Sequence, residues 1–171
     1  FLNEKNDAEY SFYKDYPNLR LDIEMPEVTS EDIVVIGSYY AVTAQLRDKV
    51  KDLLDKARQA GAIIYYDVNF RSSHASEAIK LLPDILENFE YADIVRGSTE
   101  DFGNMFGLTN ADDIYRQKVG FYCPRFICTN GGEGLALRTK TIQKDYPVKP
   151  LQTVSTIGAG DNFNAGLVFG L

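Results

Sequence analysis

The sequence predicts a three-layer αβα fold built on a mostly parallel central sheet. Two observations carry that expectation. Short apolar runs alternate with amphipathic helical stretches through the middle of the 171 residues, the pattern of right-handed βαβ units with a sheet covered on both faces. Several of those apolar runs also end in polar, turn-forming stretches: DVNFR, RGSTE and TNGGEG. In open α/β sheets, ligands sit beyond the C-terminal ends of the strands, where these stretches fall.

The elements follow in order. Residues 8–14, AEYSFYK, have strand character, and Pro17 limits the run. EDIVVIGS (31–38) is a short apolar run ending in glycine and small polar residues, the mark of a buried strand. A helix is expected over about 41–60. Val42, Leu46, Val50, Leu53, Leu54 and Ala57 fall on one face, with Lys49, Lys51, Asp52 and Lys56 elsewhere, and Gly61 is a suitable stop. AIIYYDVN (62–69) is the next buried strand. ASEAIKLLPDILENF is helical, interrupted or restarted at Pro83.

ADIVRGS (92–98) is a short strand that leads into a helix over STEDFGNMFG, with Ser98 or Thr99 as N-cap. NADDIYRQKVG fits another helix, capped by Asn110. RFICT (125–129) is a strand followed by the turn NGGEG. LALRTK and TIQKDYPV form a β-hairpin or two neighbouring strands. LQTVST leads into a glycine turn and a final helix from about Ala159. No internal repeat or low-complexity linker interrupts the chain.

Composition bounds the function. Hydrophobic residues make up 44%, enough for a core, and the length suits one domain. The net charge of −7 disfavours a nucleic-acid or anionic-membrane partner, while phosphate binding through backbone amides and Mg²⁺ stays open. Cys123, Cys128 and His74 are too few for a zinc site, and the cysteines read as buried thiols. No apolar run approaches the roughly 18 residues of a membrane span, and no signal peptide is visible, so a cytoplasmic location is expected. The chain starts at Phe1 and stops at Leu171 inside an apolar helical pattern, so a piece of a longer protein is expected.

The chemistry concentrates in VSTIGAGDNFNAG, Val154 to Gly166. Gly158 and Gly160 permit backbone angles closed to other residues, so successive amides can form an anion nest. The following helix adds its positive N-terminal end, and phosphate is the natural guest. There Asp161 could take the proton of an attacking hydroxyl. From these four residues alone, a simple turn with an acid cap fits as well. A P-loop is excluded because no GxxxxGK[ST] string occurs, and GxGxxG fails at Phe163.

With its neighbours, this stretch resembles the signature of the ribokinase-like (PfkB) carbohydrate kinases. Thr156, Gly158, Ala159, Gly160 and Asp161 match its DTxGAGD-type string. Asp67, Asn69 and Arg71 match a DxNxR string of fructokinase- and 2-keto-3-deoxygluconate-kinase-like members. Thr129 to Gly134 resembles a TxGxxG stretch that contacts ATP, and Glu100 sits where the family's NxxE places its glutamate. The resemblance runs from about residue 30 to the chain end. It implies a ribokinase-like fold, with residues 1–20 a remnant of a small β lid and 21–171 a nucleotide-binding core truncated at both ends.

It also implies roles. Asp161 would be the general base, and the amides of Ala159, Gly160 and Asp161 the anion hole. Thr129, Gly131 and Gly134, with Thr156, would serve ATP. Arg71 and Asn69 would face substrate, Arg71 equally fitting a loop salt bridge, while Asp67 fits a structural hydrogen bond. Glu100 would help organise Mg²⁺. Two positions depart from the pattern. Gly97 replaces the asparagine of NxxE. Ser155 replaces the acid that in several members belongs to a monovalent-cation site, so K⁺ activation lacks its usual ligand. The expected activity is phosphorylation of a hydroxyl on a small sugar or sugar acid. The alternatives are a non-catalytic nucleotide- or sugar-binding regulator and a kinase for a nucleoside or vitamin alcohol. A homodimer through lid strands is the assembly the resemblance suggests.

Overall fold

The computed structural model describes residues 23–149 and 154–171. The strand expected at 8–14 and the lid remnant expected at 1–20 lie outside the described residues. By its contacts the chain divides into two compact units. One comprises Leu19–Val148; the other comprises Phe1–Asn18 with Lys149–Leu171.

The first unit is built on a six-stranded sheet. Its strands are β1 (Ile33–Gly37), β2 (Ile63–Asp67), β3 (Ile94–Ser98), β4 (Arg125–Thr129), β5 (Leu135–Thr139) and β6 (Gln143–Tyr146). They lie side by side in chain order; β1 to β4 are parallel, and β5 and β6 add on antiparallel. The helices are α1 (Arg47–Ala60), α2 (Ala78–Tyr91), α3 (Thr99–Phe106) and α4 (Ala111–Gln117). When neighbouring parallel strands follow in chain order, right-handed crossovers send every connection over the same face. One core cluster accordingly joins Val50, Leu54 and Ala57 of α1, Leu81, Ile85 and Phe89 of α2, Phe102 of α3 and Ile114 of α4. Those side chains meet Ile64, Tyr66, Val95 and Phe126 of the sheet. Phe102 meets Phe126 edge-on, with ring centroids 5.1 Å apart, a favoured aromatic geometry.

Two details differ from the periodicity. The helix expected from residue 41 starts at Arg47, and a 3-10 turn occupies Tyr39–Val42. The buried Arg47 head explains the break: it donates to the Ala41 carbonyl at 3.0 Å and to Asn88 Oδ1 at 2.7 Å, and it pairs with Glu87. A guanidinium that must reach acceptors on the preceding turn and on α2 fixes where α1 begins. In α2, Pro83 neither stops nor restarts the helix. It lies on the exposed side, where the carbonyl it deprives of a partner can bond to water, while Leu81, Ile85 and Phe89 hold the buried stripe. The hairpin expected after the NGGEG turn is present as β5 and β6.

The caps are legible residue by residue. Gly61 ends α1 in the left-handed region at φ 77°, and Asn110 accepts from the Asp112 and Asp113 amides at the start of α4. Ser98 and Asp101 form a reciprocal capping box on α3: Ser98 Oγ accepts from the Asp101 amide, and Asp101 Oδ2 accepts from the Ser98 amide at 2.6 Å. Burial pushes the Asp101 carboxyl up, and the bonds from Ser98 oppose it. Both cysteines are free and buried, and burial raises their thiols to about 11 for Cys123 and about 12 for Cys128. No helix among the described residues is long and apolar enough to cross a membrane.

Replacing Ser98 by alanine removes one half of the capping box and a donor from a buried carboxylate. The expected loss is about 1–2 kcal/mol of unfolding free energy, measured as a lowered urea midpoint at unchanged slope. An unshifted midpoint would show that the box does not hold α3.

Candidate functional site

Parallel strands in register bring their C-terminal ends to one edge. Gly37, Asp67 and Arg96 sit side by side across β1, β2 and β3, and Ser98 sits beside Thr129 across β3 and β4. The loops leaving this edge carry the residues singled out in the first unit: Asn69, Arg71, Glu100, Thr129, Gly131 and Gly134.

A buried polar chain runs along the edge. Arg96 is only 7% exposed. One terminal nitrogen donates to Asp67 Oδ1 at 2.9 Å and the other to Thr129 Oγ1 at 2.8 Å. One guanidinium thus ties the ends of β2, β3 and β4. Asp67 therefore makes the structural contact its position in DVNFR suggested. Arg96 was missed by the motif reading, although its signal is visible: an arginine inside the apolar run ADIVRGS needs buried acceptors.

The backbone is strained at the same edge. Ser38, directly after β1, and Asn69, two residues after β2, are the non-glycine residues with positive φ among the described residues, at 57° and 38°. Such conformations cost roughly 1–3 kcal/mol each and gather at ligand-handling loops. The loop after Asn69 is anchored from inside. Asn104 Nδ2 donates to the Phe70 carbonyl at 3.2 Å, and His74 is buried, stacked on Tyr39 with ring centroids 3.9 Å apart. Arg71, partly exposed, opens the 3-10 turn that contains His74, and the His74 amide donates to its carbonyl.

Beyond β4 the loop closes on itself. The Asn130 amide donates to the Gly134 carbonyl at 2.8 Å, and the Asn130 side chain bonds Glu133. Gly134 has φ 119°, and a Cβ there would lie 2.2 Å from the Tyr146 carbonyl oxygen, so only glycine fits. Gly131 and its neighbour Gly132 are exposed, with open space where a Cβ would point. Thr129 is half-buried at the base of the loop. A cavity of about 560 Å³ adjoins this loop. Asn130, Glu133 and Gly134 line it together with Arg138, which pairs with Asp112 and Asp145. Glu100 lies exposed in the first turn of α3 and takes no part in its capping box. Among the described residues, no group of three or more His, Cys, Asp or Glu is arranged to hold a metal ion.

The second unit contains the glycine turn and its helix, α5 (Ala159–Gly170). Gly158 is the N-cap, left-handed at φ 75°; Gly160 is helical, so only the first glycine uses the special backbone freedom. The Ala159 amide closes the turn onto the Thr156 carbonyl at 3.1 Å, and the Asn162 amide bonds the Gly158 carbonyl. The amides of Gly160 and Asp161 donate to no acceptor among the described residues, as first-turn amides do. Asp161 is the third helical residue, the same place Asp101 holds in α3. There Asp101 is buried and consumed by Ser98. Here the N-cap is glycine, no side-chain cap forms, and the Asp161 carboxylate is exposed and accepts nothing from the described residues. A helix cap therefore does not account for it.

A parallel sheet with its loops gathered at the strand C-termini belongs to the ligand-binding open-sheet α/β class. The chain is a member of the pfkB family of carbohydrate kinases, whose description matches residues 2–171. It is 28% identical over 177 residues to a probable chloroplastic fructokinase-6 of Arabidopsis thaliana, covering 98% of this chain and 45% of that protein. The chain thus spans about half the length of that relative. Among solved structures it resembles the aminoimidazole riboside kinase of Salmonella enterica, with TM-score 0.77 at 23% identity over 85% of this chain and 49% of that one. It also resembles a Vibrio cholerae O395 fructokinase bound to fructose, ADP and calcium, with TM-score 0.76 at 22% identity, covering 85% and 47%. These likenesses establish the ribokinase-like three-layer fold.

The departure at Gly97 has a packing cause. A Cβ there would meet Phe102 Cε2 at 2.6 Å, and the Phe102 ring is fully buried against Phe126. Gly97→Asn is expected to destabilise the fold by about 1–3 kcal/mol through overpacking, measured by urea unfolding. Unchanged stability would mean that Phe102 yields freely and that packing does not select glycine.

Proposed function

We propose that the protein transfers the γ-phosphoryl group of ATP to a hydroxyl of a small sugar or sugar acid, of the fructose or ketodeoxygluconate kind. The observation that carries the reading is the start of α5: two open amides beside an exposed carboxylate that no cap explains. Family membership and the fructokinases among its relatives support it.

In this reading Asp161 accepts the proton of the attacking hydroxyl, and the turn Gly158–Asp161 stabilises the charge developing on the transferred group. The Gly160 and Asp161 amides are open for that purpose, and the positive end of a 12-residue helix adds to them. Thr129, Gly131 and Gly134 hold the nucleotide. Asn69 and Arg71 face the acceptor. The residues present fit a phosphate-bound Mg²⁺: Glu100 is an exposed carboxylate able to meet a metal-bound water, which suits the way Mg²⁺ is usually held. The metal would supply charge neutralisation on the phosphates.

A second acceptor class has support of its own. The resemblance to an aminoimidazole riboside kinase favours a riboside as the alternative to a free sugar.

ADP formation from Mg-ATP, followed across fructose, 2-keto-3-deoxygluconate and aminoimidazole riboside, tests both. Asp161→Asn is expected to lower turnover by about 10²- to 10⁴-fold while ADP affinity stays within about threefold. Turnover surviving in the variant would remove Asp161 from the role of base. Tight nucleotide binding with no ADP formed on any acceptor would favour a regulator.

A further inference from the structure

Arg96 offers more than a strand tie. A guanidinium has only N–H donors and never accepts. Where it meets Thr129 at 2.8 Å, the threonine oxygen must be the acceptor. The Thr129 hydroxyl therefore cannot spend its own proton on Arg96, and among the described residues that proton has no acceptor. Thr129 is half-buried at the base of the Asn130–Gly134 loop, so its hydroxyl stands at the start of the loop proposed to hold the nucleotide.

Arg96 is itself fixed. Its other terminal nitrogen is committed to Asp67, and both side chains are more than nine-tenths buried, with exposures of 8% and 9%. Register aligns the pair, since Asp67 and Arg96 are direct neighbours across β2 and β3. The order of command runs one way. Asp67 sets the guanidinium plane, the guanidinium occupies the acceptor side of the Thr129 oxygen, and the hydroxyl is left as an outward donor. A threonine without Arg96 could donate inward, to a backbone carbonyl or to Asp67, and offer an anion its lone pairs instead.

We propose that Arg96 is a positioning residue for nucleotide binding, acting through Thr129 by holding its hydroxyl as a donor toward a phosphate oxygen. This rests on the nucleotide reading of the Thr129–Gly134 loop. It assigns Arg96 no contact with the ligand.

The test is a double-mutant cycle on Mg-ADP affinity, read by titration calorimetry of the chain. Arg96→Lys keeps a charge for Asp67 but lacks the planar fork that spans two strands. Thr129→Val removes the hydroxyl at nearly constant shape, and Thr129→Ser retains it. Each of Arg96→Lys and Thr129→Val is expected to weaken ADP binding by about two- to tenfold. The double variant is expected to be no weaker than Thr129→Val alone, and Thr129→Ser to bind like the unsubstituted chain. Losses that multiply in the double variant would give Arg96 a separate route to the ligand and overturn the proposal. So would Thr129→Val binding as tightly as the unsubstituted chain, an outcome that needs no arginine variant to fold. No ADP binding by the unsubstituted chain would sink the nucleotide reading itself, and this inference with it.

Discussion

The buried pair of Arg96 and Asp67 is the constraint on which the C-terminal edge of the sheet depends. A charge in such a place costs several kcal/mol unless its hydrogen bonds are met. Here the guanidinium meets acceptors on the strands to either side of its own, β2 and β4. A hydrophobic substitute could hold the strands together equally well. It could not dictate which way Thr129 presents its hydroxyl, nor require Asp67 at the mouth of the DVNFR loop. The edge is thus specified by polar geometry where the rest of the sheet is specified by packing. The strained residues Ser38 and Asn69 fall on the same edge, so the fold tolerates unfavourable backbone where ligands of α/β sheets bind.

Helices α3, α4 and α5 each carry an aspartate three residues after the N-cap, and α3 and α5 use it in opposite ways. In α3 the serine cap captures Asp101, buries it and closes the first turn. In α5 the cap is a left-handed glycine with no side chain to offer, and Asp161 is left exposed over open amides. The difference of one residue at the cap separates a buried carboxylate bound to its cap from an exposed one left open.

The strands and caps could be read because their causes are local. Buried strands write apolar runs, Ser98 and Asn110 write caps, and Gly61 writes a stop. The start of α1 could not be read, because it is set by Arg47 reaching Asn88, 41 positions away. Pro83 misleads as a local signal, since an exposed proline on a well-packed helix costs less than its stripe of Leu81, Ile85 and Phe89 holds. The motif residues were visible as strings, while Arg96 was not, because its importance lies in what two other strands bring to it. Gly97 read as a departure from the NxxE pattern; in the structure its neighbour is the Phe102 ring, and packing accounts for it.

The central proposal is that nucleotide phosphates are held by the loop after β4. Amide chemical-shift mapping during a Mg-ADP titration addresses it most directly. The account predicts saturable shifts at Gly131 to Gly134. The N-terminal ends of the strands, at Ile33, Ile63, Ile94 and Arg125, should stay silent. Shifts centred on those strand starts, with the β4 loop unmoved, would contradict it.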